Sequence, residues 1–220
     1  MDGSRGLFDQ QLTDLRDNIL YLGDIVKIAI EQAVRALKEQ DEDLARQVVS
    51  GDEVINVKRY EIEEQCLTLI ATQQPAASDL RAIVAAIHIV TELERMGDYA
   101  AGIAELGARL ADQPLLKPLI DVPRMTKIDK EMIQASLEAY LKCDPDLALE
   151  TAKRDAEVDQ LYNQVYRELL TYMLEDPRNI TRATYLLWVA HKLERIADRV
   201  TNICERVIFM STGEFKEFNF

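Results

Sequence analysis

Two stretches of this chain carry the same acidic pattern. Residues 91–106 read TELERMGDYAAGIAEL and residues 191–206 read HKLERIADRVTNICER. Each holds Leu-Glu-Arg-x-x-Asp with a further Glu seven residues after the Asp. Glu94, Asp98 and Glu105 are therefore matched by Glu194, Asp198 and Glu205, each pair 100 residues apart. Clustered carboxylates repel one another unless protons or a cation compensate. Oxygen-only donor sets suit hard cations such as Mg²⁺, Ca²⁺ and Mn²⁺, can also hold iron, and can bridge more than one ion. The competing reading is a solvated acidic face, which Glu-x-x-x-Asp on a helix usually is.

The placement of these residues favours a site. On a helix, steps of three and four stay on one face. The row Ile83, Ile87, Val90, Glu94, Asp98, Ala101, Glu105 departs from a line by no more than ~40° at ~100° per residue. It begins as an apolar stripe and turns acidic without changing face, whereas a solvated face would lie opposite the stripe. The row Ala183, Leu187, Ala190, Glu194, Asp198, Thr201, Glu205, Ile208 repeats this. A second apolar row in the first motif's helix, Ala85, Ile89, Met96 and Ile103, leaves open which face is deepest. Arg95, Arg195 and Arg199 lie off the acidic rows, which argues against simple neutralisation within them. His191, three residues before Glu194, can reach the second row; His88 points well round the helix from the first.

Breakers divide the chain into six long helical blocks, at roughly 8–39, 42–73, 77–112, 124–142, 145–175 and 179–211. Asp41 is placed as an N-cap, and Pro145 falls in a first turn, where proline is tolerated. The segment 113–123, with Pro114, Pro118 and Pro123, is the one linker-like stretch. EQDEDLARQVVSGDEVIN (39–56) aligns with KCDPDLALETAKRDAEVD (142–159) at an offset of 103. The chain reads as all-α, with two tandem antiparallel three-helix bundles, 1–112 and 124–220, related by an internal repeat. Folding each bundle's second helix back on its third sets Asp52 level with Asp98 and Asn56 level with Glu94. In the second half it sets Asp155 level with Asp198 and Asp159 level with Glu194. Four oxygen-bearing side chains then meet at one height in each half.

The 220 residues are 48% hydrophobic, with only 8 Gly and 6 Pro, enough for a sizeable helical core. A formal net charge of −13 excludes a general nucleic-acid binder, because phosphates need a basic face. Cations or basic protein surfaces are the expected partners. Cys66, Cys143 and Cys204 form no C-x-x-C pair and read as buried thiols of a reducing compartment. No apolar run approaches the ~20 residues of a membrane span, and the first ten residues lack the layout of a signal peptide. The expectation is a cytoplasmic protein with no direct membrane insertion. There is no Gly-rich phosphate loop, nucleophile elbow or Ser-His-Asp set. Trp188 and the tyrosines of YLLW and LLTYM read as core or dimer-contact residues.

QQPAASDLRAI, ELERMGDYAAGIAE and KLERIADRVTNICERVIF, together with the two aligned segments, resemble the PhoU family of phosphate-signalling regulators over nearly the whole chain. The resemblance implies paired three-helix bundles, a homodimer, and a cytoplasmic, non-enzymatic role. That role is negative regulation of phosphate uptake and of the phosphate-starvation response. The implied partners are the ATPase subunit of the phosphate ABC transporter and a sensor histidine kinase. It further implies metal, iron or a divalent ion such as Mn²⁺, Mg²⁺ or Zn²⁺, in a multinuclear arrangement on paired Glu/Asp-x-x-x-Asp motifs. Carried over, these are Glu94 with Asp98, Glu194 with Asp198, Asp52 with Asn56 and Asp155 with Asp159. The family's Asn four residues after the motif Asp is kept as Asn202 but is Gly102 in the first half, and its usual Gly before the second Asp is Ala197. With Asn56 in place of a carboxylate, weaker or different metal loading is expected in the first half. Two readings compete: a ferritin-like metal store, which lacks its expected Glu-x-x-His motifs, and a metal-free helical adaptor for a basic partner.

Overall fold

The computed structural model describes residues 2–214 and 218, with side chains from residue 6 onward. Seven α-helices follow in order: α1 (Asp2–Glu39), α2 (Glu42–Gln73), α3 (Ala77–Leu110), α4 (Asp121–Lys142), α5 (Pro145–Ala152), α6 (Asp155–Glu175) and α7 (Ile180–Thr212). A single 3₁₀ turn, Pro177–Asn179, leads into α7. The helices α1, α2 and α3 form one antiparallel bundle, and α4, α5/α6 and α7 form a second. The two join where α3 packs on α7 and α1 on α4.

The boundaries follow local chemistry. Asp41 accepts a hydrogen bond from the Leu44 backbone N–H at 2.9 Å, and Asp144 accepts from Asp146 and Leu147 N–H at 3.0 Å each, so both middle helices start on a side-chain cap. Gln40, Gln74 and Cys143 take left-handed conformations that reverse the chain between helices. Helix α4 starts at Asp121, three residues before the expected 124, with Pro123 tolerated in its first turn.

One expectation fails. The block at 145–175 is two helices, broken at Lys153–Arg154. No Pro or Gly marks the break. Thr151 Oγ1 bonds back to the Leu147 carbonyl at 2.8 Å, a contact that bends helices. Arg154 is held by Glu131 of α4 at 2.8 Å and by Glu157 at 3.2 Å. The break makes Asp155 the first residue of α6.

The core runs through both bundles. It includes Ile19 and Ile30 of α1, Ile62 of α2, Leu93 and Met96 of α3, and Leu193 and Ile196 of α7, all fully buried or nearly so. Close approach matters where α1 crosses α3: a Cβ on Gly107 would stand 3.3 Å from the Leu37 Cα, so only glycine lets the two backbones meet at that spacing. Cys66 and Cys204 are buried as expected, but Cys143 is exposed, because its left-handed cap position puts it at the helix end rather than in the core. Trp188 is 48% exposed, so it is not a core residue; its ring lies 5.7 Å from that of Tyr185.

Candidate metal centre

The carboxylates of each half meet along the seam between its second and third helices. In the first half, Asp52 of α2 faces Glu94 and Asp98 of α3. Asn56 Nδ2 donates to Asp52 Oδ2 at 3.0 Å. Burial, and next the charge of Asp98, push the Asp52 carboxyl above its ordinary range, while the Asn56 amide works against this. Glu94 is raised for the same reasons, burial first and Asp98 second, with Arg95 and Arg59 opposing. Gly97 lets the helices close: a Cβ there would stand 2.9 Å from Ile55 Cδ1 and 3.2 Å from Asp52 Oδ1.

The second seam is the more strained electrostatically. Glu194 is pushed up to about 7 by burial, then by Asp198 and Asp159, against the lowering effect of Arg195. Asp155 is pushed up to about 6 by burial, then by Asp159, Asp198 and Glu194. Asp159 is raised by burial and by Asp198. These mutual influences carry out the pairing expected from the hairpin register, despite the break before Asp155.

One correction concerns the neighbours. Arg95 and Arg195 do not stay clear of the acidic rows. Arg95 lies 3.6 Å from the adjacent Glu94 and 3.4 Å from Asp98, and Arg195 lies 2.9 Å from Asp198, because a side chain of this length swings round to a carboxylate three residues on. Arg199 pairs instead with Glu92 of the other bundle at 3.3 Å. The question of the deepest face is settled in parts: Ala85, Ile89, Met96 and Ile103 are fully buried, as are Ile83 and Val90 at the start of the acidic row, and only its carboxylates reach the edge of the core. Asn202 commits its amide to Glu92 at 3.3 Å. His191 Nδ1 stands 3.1 Å from Glu194 Oε2, at ion-pair distance but without hydrogen-bond geometry. Glu205 accepts the backbone N–H of Phe218 at 2.9 Å, and Glu105 is exposed.

The donors along the seams are all oxygen, the chemistry that hard cations take. Asp52 Oδ1, Asp155 Oδ1 and Glu194 Oε2 are buried carboxylate oxygens without a hydrogen-bond partner, and such oxygens need compensation. As placed, no three His, Cys, Asp or Glu side chains among the described residues converge to one ion's reach.

One acidic residue escaped the sequence reading. Asp129 of α4 is 0% exposed, and neither of its oxygens has a partner. Burial, and next the charge of Asp155, hold its carboxyl well above the ordinary range. The signal was present: Asp129 interrupts the row Met125, Met132, Ile133, and all three of those residues are buried.

A doubled three-helix bundle with an acidic seam in each half defines a class of paired-carboxylate helical proteins. The PhoU domain model matches residues 19–107 and again 122–207, one match per bundle. The phosphate-specific transport system accessory protein PhoU homolog of Aquifex aeolicus is 42% identical over 93% of either chain. The homolog of that name from Clostridium acetobutylicum is 38% identical over 98% of this chain and 99% of its own. The crystal structure of PhoU from Pseudomonas aeruginosa superposes with a TM-score of 0.88 at 38% identity, covering 94% of this chain and all of that one. That of the phosphate transport system regulatory protein PhoU from Streptococcus pneumoniae gives 0.89 at 32% identity, covering 96% and all. The chain belongs to the PhoU family. No helix among the described residues is long and apolar enough to cross a membrane.

Proposed function

We propose that this chain is an accessory regulator of phosphate transport, restraining phosphate uptake and the phosphate-starvation response when phosphate is plentiful. It acts in the cytoplasm as a homodimer, by contact with the ATPase subunit of the phosphate ABC transporter and with a sensor histidine kinase. The observation that carries this reading is the full-length family match, one PhoU domain per bundle, to relatives named as phosphate transport accessory proteins. No catalytic step is assigned to it.

The same reading gives the acidic seams to metal: iron or a divalent ion such as Mn²⁺, Mg²⁺ or Zn²⁺, in one or more ions per seam. Glu94, Asp98, Asp52 and Asn56 would hold it in the first half, and Glu194, Asp198, Asp155 and Asp159 in the second. The raised carboxyls at about 6 and about 7 support it, since a cation supplies the positive charge that burial and like charges make costly to omit. Asn202, with its amide on Glu92, would join only by leaving that contact.

The test is genetic and elemental. A strain lacking the gene is expected to show raised phosphate uptake and starvation-gene output in excess phosphate, both restored by the wild-type gene. Unchanged uptake and output would refute the regulatory role. Elemental mass spectrometry on chelator-free protein should find Fe, Mn or Zn bound. No metal, even after incubation with Mn²⁺ and Mg²⁺, would turn the seams into acidic docking surface and leave the regulatory role to be judged on the genetics.

A further inference from the structure

The two ends of the α3–α7 joint are not alike. At the repeat offset of 100, Glu92 corresponds to Lys192, Arg199 to Tyr99, Asn202 to Gly102 and His88 to Trp188. At one end, Arg199 and Asn202 of α7 donate to Glu92 of α3 at 3.3 Å each, and the polar groups satisfy one another. At the other end no such pairing forms. Lys192 reaches across to α3, its Nζ 5.8 Å from the centroid of the Tyr99 ring and in the space that a Cβ on Gly102 would fill. Among the described residues it makes no ion pair and no hydrogen bond.

A pocket of about 460 Å³ opens at this end. Its α7 wall carries Trp188, Lys192 and Arg195, which at i, i+4 and i+7 share one helix face. Its α3 wall includes Tyr99, Glu105 and Arg109. The volume is that of a small-molecule site, and such sites favour the gaps between packed helices. Three cationic side chains line it against one carboxylate, on a chain whose net charge is −13. Arg195 is shared with Asp198 at 2.9 Å, but Lys192 and the exposed Arg109 have no acidic partner. Trp188 keeps about half of its surface in water. His88 holds the equivalent place in the first repeat and is also exposed, so packing of the joint does not call for an indole there.

Each of these groups answers one part of a single ligand chemistry. An exposed indole offers a stacking face to a planar base. Unpaired lysine and arginine take phosphate oxygens. Glu105 is the one acidic group and accepts from the exocyclic amine of a base. Inorganic phosphate would use the cations and leave Trp188 idle.

We propose that this pocket binds a purine nucleoside di- or triphosphate, with the base stacked on Trp188, the phosphates on Lys192 and Arg195, and Arg109 adding positive charge from the α3 wall. The site is independent of the metal reading of the seams. Its one link to them is Arg195, which a bound phosphate draws away from Asp198.

The chain has a single tryptophan, so intrinsic fluorescence reads this pocket alone. The full chain is titrated with ADP, GDP, adenosine and inorganic pyrophosphate, by fluorescence and by calorimetry. Chelator is present throughout, so that no metal bridges nucleotide to the seams. Saturable quenching by ADP or GDP is expected, with adenosine and pyrophosphate each binding roughly tenfold or more weakly. Lys192→Glu, which copies Glu92, should weaken nucleotide binding by roughly tenfold or more. Arg109→Gln changes an exposed, unpaired side chain and should weaken it several-fold; it carries the charge test if circular dichroism shows Lys192→Glu misfolded. Trp188→Leu, followed by calorimetry, should lose the roughly 5–150-fold that one base–aromatic stack contributes. Pyrophosphate binding as tightly as ADP would overturn the base stack and with it the nucleotide assignment. Adenosine binding as tightly as ADP would overturn the phosphate seat. Neither quenching nor heat with millimolar ADP and GDP would overturn the site, and the exposed tryptophan would then stand as a protein-docking residue.

Discussion

Glu194→Gln in the metal-free chain should stabilise it, and increasingly so as pH rises. Burial and the neighbouring Asp198 and Asp159 push the Glu194 carboxyl from an ordinary 4.5 to about 7. Between those values the unfolded chain has released its proton and the folded chain still holds it. The folded state binds more protons there, so stability falls as pH rises through the window, with no contribution below pH ~4.5 and the full loss above pH ~7. At 1.36 kcal/mol per pH unit the gap is worth about 3 kcal/mol. The side chain is 20% exposed and its interactions are shared with Asp198 and Asp159, so screening and coupling reduce this to about 2 kcal/mol. Guanidinium unfolding of chelator-treated protein, followed by circular dichroism at pH 5, 6, 7 and 8, measures it. The variant-minus-wild-type difference should grow from near zero toward about 2 kcal/mol, which a parallel thermal melt would show as a gain of roughly 4–8 °C for a chain of this size. If the seam takes Mn²⁺ as proposed, the ion at a hundred times its Kd should add about 2.7 kcal/mol to the wild type and less to the variant. A pH-independent difference would refute the assignment of a raised, repelled carboxyl at this position.

Other perturbations test the frame that holds the seams. Gly107→Ala should cost about 1–2 kcal/mol by thermal or chemical unfolding, because its Cβ would stand 3.3 Å from the Leu37 backbone and overpacking outweighs the ~1 kcal/mol helix-propensity gain. Asp144→Ala removes a cap that accepts two backbone N–H groups, and should lower unfolding free energy by about 1 kcal/mol. Arg199→Ala breaks the half-buried pair with Glu92 between the bundles, and a loss of about 1 kcal/mol, reduced in high salt, is expected from denaturation at two salt concentrations.

Five of the six helical blocks, the repeat and the level pairing of carboxylates were legible because each rests on local or periodic signals: the cap Asp41, the turn prolines Pro75 and Pro177, and a fixed spacing in both halves. Most of what escaped had no such signal. The break before Asp155 comes from tertiary anchoring of Arg154 to Glu131, 23 residues away, and no sequence rule reports that. Arg95 and Arg195 were misplaced because helical position fixes a Cβ, not the end of a long flexible side chain. Asp129 was hidden by the reverse error: an acidic residue on a helix is assumed to face water, although its place in the row Met125, Met132, Ile133 and its alignment with Val26 both mark it as buried.

The repeat also explains why the two seams share one scaffold. At an offset of 100, Glu92 corresponds to Lys192, Tyr99 to Arg199 and Gly102 to Asn202. The α3–α7 contacts obey that exchange. Glu92 meets Arg199 and Asn202 at 3.3 Å each, while Lys192 lies over the Tyr99 ring at 5.8 Å and occupies the space a Gly102 side chain would need. The bundles therefore join by a pseudo-twofold pairing of their third helices, with the chemistry of one end replaced at the other. Each third helix carries one face of a seam, and the joint residues, from Glu92 to Gly102 on α3 and from Lys192 to Asn202 on α7, span the same stretches as Glu94 with Asp98 and Glu194 with Asp198. A cation that draws the carboxylates of either seam together pulls on a helix that is half of the joint. The substitution of Gly102 for an amide leaves the first-seam end of that joint without the bond that Asn202 provides at the other.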